Sequence, residues 1–354
     1  MGTEAFGIPT DISGYGKVIL FYTRAVNALT PASSGFVIGG FFFARDLYPK
    51  TARNNLPACA SSNEAEMFYL LVPDPSGSIN SNPRSKAQVS QLNTGTIAHE
   101  FQHLINSSRR LYVNTGGAVA EETWLDEGIS HVAEELLYLR LAGYTTRQNV
   151  TLQDVAGTTA RNTIFSNYGI QNFGRLYDYL RNPEVNSPYA QNDSLATRGA
   201  IWSFLRYAAA REGANGEAQF LRRLVNSTTS GLTNLASAVP SNQLAEYLRD
   251  WAISNIADDY SAEVMETLGT QYMNPAWNFR SIFPGLRVGG QALGTYPLST
   301  RTLFSNIPQR ITLPGGATSY IRFSVPAATE AVVSLSANGG ALPSTARVSV
   351  VRLR

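Results

Sequence analysis

Disulfides, long apolar runs and clustered charge are all missing from this 354-residue chain. Cys59 is the only cysteine, so no intrachain disulfide can form and the fold must rest on packing alone. The longest strongly apolar run is Phe36 to Ala44, well short of the ~20 residues that a membrane-spanning helix needs. Charged residues make up 15% of the chain with a formal net charge of +2, and no Lys/Arg run exceeds two residues. That balance argues against nucleic acid as a partner. No basic segment followed by an apolar core opens the chain, so no signal peptide is expected within it. Apolar content of 44% marks a globular protein able to bury a large core.

Histidine is also scarce, and its placement is informative. The chain holds three, His99, His103 and His131, all between positions 99 and 131. The first two stand in His99-Glu100-Phe101-Gln102-His103, the pattern His-Glu-x-x-His. Residues four apart share a helix face, so both imidazoles can meet one metal ion with Glu100 beside them. Neutral imidazole suits Zn²⁺, and a catalytic zinc takes three protein ligands and keeps one position for water. Glu100 would then act as general base toward that water while the metal polarises the scissile carbonyl. Ile97, Ala98, Phe101, Leu104 and Ile105 recur at helical spacing, with Thr94 and Thr96 as start signals.

A third ligand is expected on a second helix, and Trp124 to Leu137 has one apolar stripe through Leu125, Ile129, Val132 and Leu136. His-Glu-x-x-His followed by Trp124-Leu125-Asp126-Glu127-Gly128-Ile129-Ser130 resembles the gluzincins, zinc peptidases with a glutamate ligand. Within them the two stretches are most similar to the hyicolysin family of bacterial secreted metallopeptidases, over about residues 96 to 137. The resemblance implies that Glu127 is the third zinc ligand. His131, one turn on, has three readings: a group that orients Glu127 or Asp126 by donating a ring proton, a competing third imidazole ligand, or a plain helix-surface histidine. Asp126 and Glu134, two turns beyond Glu127, are expected around the ligands, whereas Glu121, Glu122 and Glu135 read as solvated helix charges.

The first 95 or so residues read as strands: Lys17 to Tyr22, Phe36 to Phe43 with two glycines inside, and Glu66 to Val72. The last of these, through Tyr69, Leu70 and Leu71, is expected either at the sheet edge, where it would pair with extended substrate, or inside the sheet. Asn106 to Ala120 reads as a flexible loop between the metal helices. From Gly128 to about Ala262 the pattern is helical, in segments around Leu176, Ile201, Phe220 and Leu244. After about Gly290 short alternating runs separated by Gly and Pro, with Glu330 the only acid beyond residue 293, suggest a small β-sandwich. The expectation is an α+β fold: a zincin-type two-lobed peptidase over 1–290 (β-rich lobe 1–110, helical lobe 111–290) and an all-β domain over 291–354.

Function follows from the same residues. A donor for the developing oxyanion is also needed. Arg198-Gly199-Ala200 resembles a helix that begins Tyr-Gly-Ala in related peptidases, which makes Arg198 one candidate and Tyr168 another. The expected activity is a zinc-dependent endopeptidase acting on protein or peptide substrates. Related aminopeptidases carry a Gly-x-Met-Glu-Asn element that binds the free amine, and none occurs here. The alternatives are an aminopeptidase of related architecture and a catalytically silent zincin-like surface-binding protein. A monomer at the cell surface or outside the cell is expected, because a broad protease free in the cytoplasm would threaten its host.

Overall fold

The structure is a computed structural model that describes residues 1–53, 55–117, 120–288 and 290–353. It is mixed α+β and rich in helix. In chain order it runs α1 (Gly2–Phe6), β1 (Ile19–Tyr22), α2 (Arg24–Ala28), β2 (Gly40–Phe42), β3 (Met67–Leu70), α3 (Lys86–Tyr112), α4 (Thr123–Ala142), α5 (Leu152–Ala156), α6 (Thr159–Tyr168) and α7 (Ile170–Arg181). Then come α8 (Leu195–Arg211), α9 (Glu217–Val225), α10 (Gly231–Ala238), α11 (Leu244–Ala257), α12 (Ala262–Thr267) and α13 (Phe279–Gly285). No described helix is long and apolar enough to cross a membrane.

The three strands form one sheet in the order β1-β3-β2, with β1 parallel and β2 antiparallel to β3. Phe21, Tyr69 and Phe41 stand in one row across it. Of the two places left open for the stretch Glu66 to Val72, β3 takes the inner one. Both sides of β3 are hydrogen-bonded, and Leu70 and Leu71 are buried, so Tyr69, Leu70 and Leu71 cannot take an added substrate strand. Strand order depends on pairing partners far apart in sequence, which hydrophobic pattern alone does not encode. Between sheet and α3 lies a small core of Phe68, Leu70, Leu104 and Leu111.

Helix α3 begins earlier than Thr94. Ser85 caps it, accepting from the N–H of Gln88 while Gln88 returns a bond to the Ser85 N–H, a capping box that satisfies two otherwise orphaned donors. The helix also runs on to Tyr112, absorbing half of the expected loop; positions 118 and 119 of that loop lie outside the described residues. Arg110 is buried and pairs with Glu121, whose carboxylate also accepts from Gly231 N and Asn234 Nδ2. Glu121 is thus an internal charge, not a solvated one. Glu135 is likewise internal, accepting from the indoles of Trp202 and Trp277 and from Arg206.

Helices α4, α7 and α8 make the main core, with Ile129, Val132, Phe173, Leu176, Ile201 and Trp202 essentially inaccessible. Each such side chain contributes roughly 1.5–3 kcal/mol by leaving water. Two glycines set the helix spacing. A Cβ at Gly128 of α4 would meet Ile201 of α8 at 2.5 Å, and one at Gly199 of α8 would meet the Arg175 backbone of α7 at 2.2 Å. The close α7–α8 approach places Arg175 beside the first turn of α8.

Past Gly290 the chain first lies on the helices. Leu293, Tyr296 and Leu298 join the main core, Thr318 N donates to Pro183 O, and the Tyr320 hydroxyl donates to Ala252 O. The sandwich expected over 291–354 is not formed among the described residues. Strand pairing among the described residues there is limited to two-residue ladders, Gln291–Ala292 antiparallel to Arg287–Val288 and Arg301–Thr302 parallel to Ile321–Arg322, and no described strand follows them. The runs 331–335 and 347–353 alternate as strands do, yet Val332 and Val350 are 92% and 81% exposed: with no second layer to cover an apolar face, the pattern has nothing to pack against.

Candidate metal centre

Helix period and helix crossing together build the site. His99 and His103 project from one turn of α3, and α4 crosses it carrying Asp126, Glu127, Ser130, His131 and Glu134. The Nε2 atoms of His99 and His103 are 3.1 Å apart. Glu127 turns one oxygen toward each: Oε2 is 3.4 Å from His99 Nε2 and Oε1 is 3.9 Å from His103 Nε2. A tetrahedral ion with bonds of about 2.0–2.1 Å separates its ligand atoms by about 3.3 Å. The three side chains sit near that spacing and form a group able to hold a metal ion. Glu127 Oε2 is buried and completes no hydrogen bond of good geometry, although the Arg198 guanidinium stands against it.

Around the ligands stand carboxylates. Asp126 Oδ2 lies 2.8 Å from His103 Nδ1, and Glu134 Oε1 lies 2.8 Å from His99 Nδ1. Each holds its imidazole by the far nitrogen and leaves Nε2 facing inward. Asn106 Nδ2 donates to Asp126 Oδ1, and Arg175 Nη1 donates to Glu134 Oε2 at 2.9 Å. Ser130 Oγ, 3.1 Å from His103 Nδ1, donates to Gln102 Oε1. Arg175 had no sequence signal, because it reaches Glu134 only through the packing of α7 on α4.

His131 is fully buried, which removes the helix-surface reading. Its Nδ1 lies 3.2 Å from Glu134 Oε1 and its Nε2 3.8 Å from Glu127 Oε2, and neither nitrogen completes a hydrogen bond. It groups with His99 and Glu134, whereas Glu127 stays with His99 and His103. Arg198, in the first turn of α8, also reaches the centre, with Nη1 2.7 Å from Glu127 Oε2. Tyr168 ends α6 and packs against the main core.

Charge is tightly coupled here. Burial by itself would depress the His99 imidazolium, but bonding to Glu127 and Glu134 outweighs it and holds the group at about 10. For Glu127, burial is likewise outweighed, by His99, His103 and His131, and its carboxyl is held well below the usual range. His131 is driven the other way, to about 3, by burial and by the Arg175 charge. Metal binding needs neutral imidazoles, so an ion entering here would displace protons. Glu100, beside this pair, is buried; burial raises its carboxyl above the usual range, against the charges of His99 and His103. Its Oε2 accepts from the Phe42 N–H of β2 at 2.9 Å, so the carboxylate is tied to an edge strand of the sheet. No protein-family model matches the chain, and no curated protein matches it.

Proposed function

We propose that the chain is a zinc-dependent endopeptidase, a zincin-type peptidase in which His99, His103 and Glu127 hold the ion. The observation that carries the reading is the near-tetrahedral spacing of the two Nε2 atoms and the Glu127 carboxylate, with the buried Glu100 next to His99 in the same helical turn. Two imidazoles and one carboxylate are the donor set of a catalytic zinc, which takes a fourth ligand from solvent or substrate. Zinc held there supplies a Lewis acid for the scissile carbonyl and makes water more acidic.

The side chains divide the remaining work. Asp126 and Glu134 keep the imidazoles in the tautomer and orientation that present Nε2. Glu100 Oε2 is fixed by the Phe42 N–H, which leaves Oε1 to take a proton from water and return it to the leaving amine. Its raised pKa makes it a better base than an exposed glutamate. Protein or peptide substrates and action outside the cell belong to the same reading.

Metal analysis beside casein cleavage, for the parent and Glu100→Gln, tests it. Bound zinc in both, with chelator-sensitive cleavage in the parent lost by at least about 100-fold in the variant, is the expected result. Zinc without cleavage in the parent would leave a binding protein, and trimming only of peptides with free amines would make the chain an aminopeptidase.

A further inference from the structure

We propose that Arg198 is a positioning residue that restricts Glu127 to one oxygen toward the ion; the inference rests on the metal-holding role given to Glu127 above. Its guanidinium is held from two sides. Nε and Nη2 donate in parallel to Oδ1 and Oδ2 of Asp193 at 2.8 and 2.9 Å, and Nη1 is the nitrogen against Glu127 Oε2. A two-bond fork of this kind fixes the plane of the guanidinium, which a lysine cannot reproduce.

The backbone around it is equally determined. Asp193 adopts φ 47°, in the left-handed region, and Ser194 caps α8 by accepting from Thr197 N. Gly199, the next residue after Arg198, lies against the α7 backbone with no room for a side chain. Arg198 thus leaves the helix at a set point with one direction open to it.

The consequence concerns the carboxylate. Glu127 straddles the two histidines with one oxygen toward each, a posture from which both oxygens can bind an ion. A guanidinium 2.7 Å from Oε2 competes for that oxygen and leaves Oε1 as the ligand atom. Arg198 thus takes a positioning role toward Glu127 in place of the oxyanion role expected from the sequence.

Cobalt(II) in place of zinc reads the ligand count directly, because its visible absorption weakens as coordination rises above four. Titration with cobalt, followed by spectrum and by thermal melt, is done on the full chain, Arg198→Met, Arg198→Lys and Asp193→Asn. The parent and all variants bind one cobalt; absorption per cobalt falls at least about two-fold in Arg198→Met. Arg198→Lys, which keeps the charge and loses the fork, and Asp193→Asn, which keeps the guanidinium and weakens its anchor, move the same way by less. Parent-like spectra in Arg198→Met and Asp193→Asn overturn the positioning role while leaving the metal site standing. A folded parent that binds no cobalt or zinc overturns both.

Discussion

Oε1 of Glu134 lies 2.8 Å from Nδ1 of His99, so the nitrogen that would face an ion is selected by a carboxylate on the neighbouring helix. Arg175 grips the other oxygen of Glu134 at 2.9 Å, and burial of the group is outweighed chiefly by that cation, which holds the Glu134 carboxyl well below the usual range. A charged acceptor at Nδ1 makes the imidazole a stronger donor at Nε2. Removing it should be felt as lost affinity and not as lost fold.

Glu134→Gln retains an acceptor for the Nδ1–H but no charge, and Glu134→Ala retains neither. Zinc affinity, measured by competition with a chromophoric chelator, is expected to fall about 10-fold in the first and about 100-fold in the second, the span over which such outer partners act. Equal affinity in all three proteins would show that His99 is oriented by something else.

Glu135, the adjacent residue, has an unrelated task. Its side chain is inaccessible, as is that of Arg206, and it gathers three donors from α8 and from Trp277. Glu135→Ala leaves the buried Arg206 guanidinium with only its longer contacts to Glu217 and Thr146 O and strands two indole N–H groups. Breaking one side of a buried pair costs about 3–5 kcal/mol, so urea unfolding should give a midpoint reduced by that amount, and the less drastic Glu135→Gln should lose less. A change below about 1 kcal/mol would mean that water reaches Arg206.

The contrast between these neighbours shows what was legible in the chain. His99, His103 and Glu100 could be placed because one helical turn fixes their relation, whereas Glu127 is singled out by the resemblance of its stretch to known zinc peptidases, because no spacing within the chain fixes how α4 crosses α3. The helices around Leu176, Ile201, Phe220 and Leu244 could be read from local spacing as well. Glu121 and Glu135 could not be told from surface charges, since the arginines that permit their burial are Arg110 and Arg206, the second of them 71 residues from Glu135. The middle place of β3 depends on β1 and β2 pairing on either side. Alternation after residue 290 describes a strand's sides and says nothing of whether a second layer exists to cover one.

Asp258 allows a prediction about pH. It follows the last turn of α11 and is pushed up to about 7 by burial, with Asp259 adding to the shift and the Asn274 N–H and Arg280 opposing it. An aspartate in the unfolded chain titrates near 3.9. Between those values the folded state holds a proton that the unfolded state has lost, so stability falls as pH rises from about 4 to about 7 and levels off above it. Asp258→Asn can still accept from Asn274 N, which donates to Oδ2 at 2.7 Å, and has no proton to lose. Urea unfolding at pH 5 and pH 8 should therefore find the variant gaining on the parent by about 1–3 kcal/mol between the lower pH and the higher. A difference that is the same at both pH values would remove Asp258 as the source of the slope.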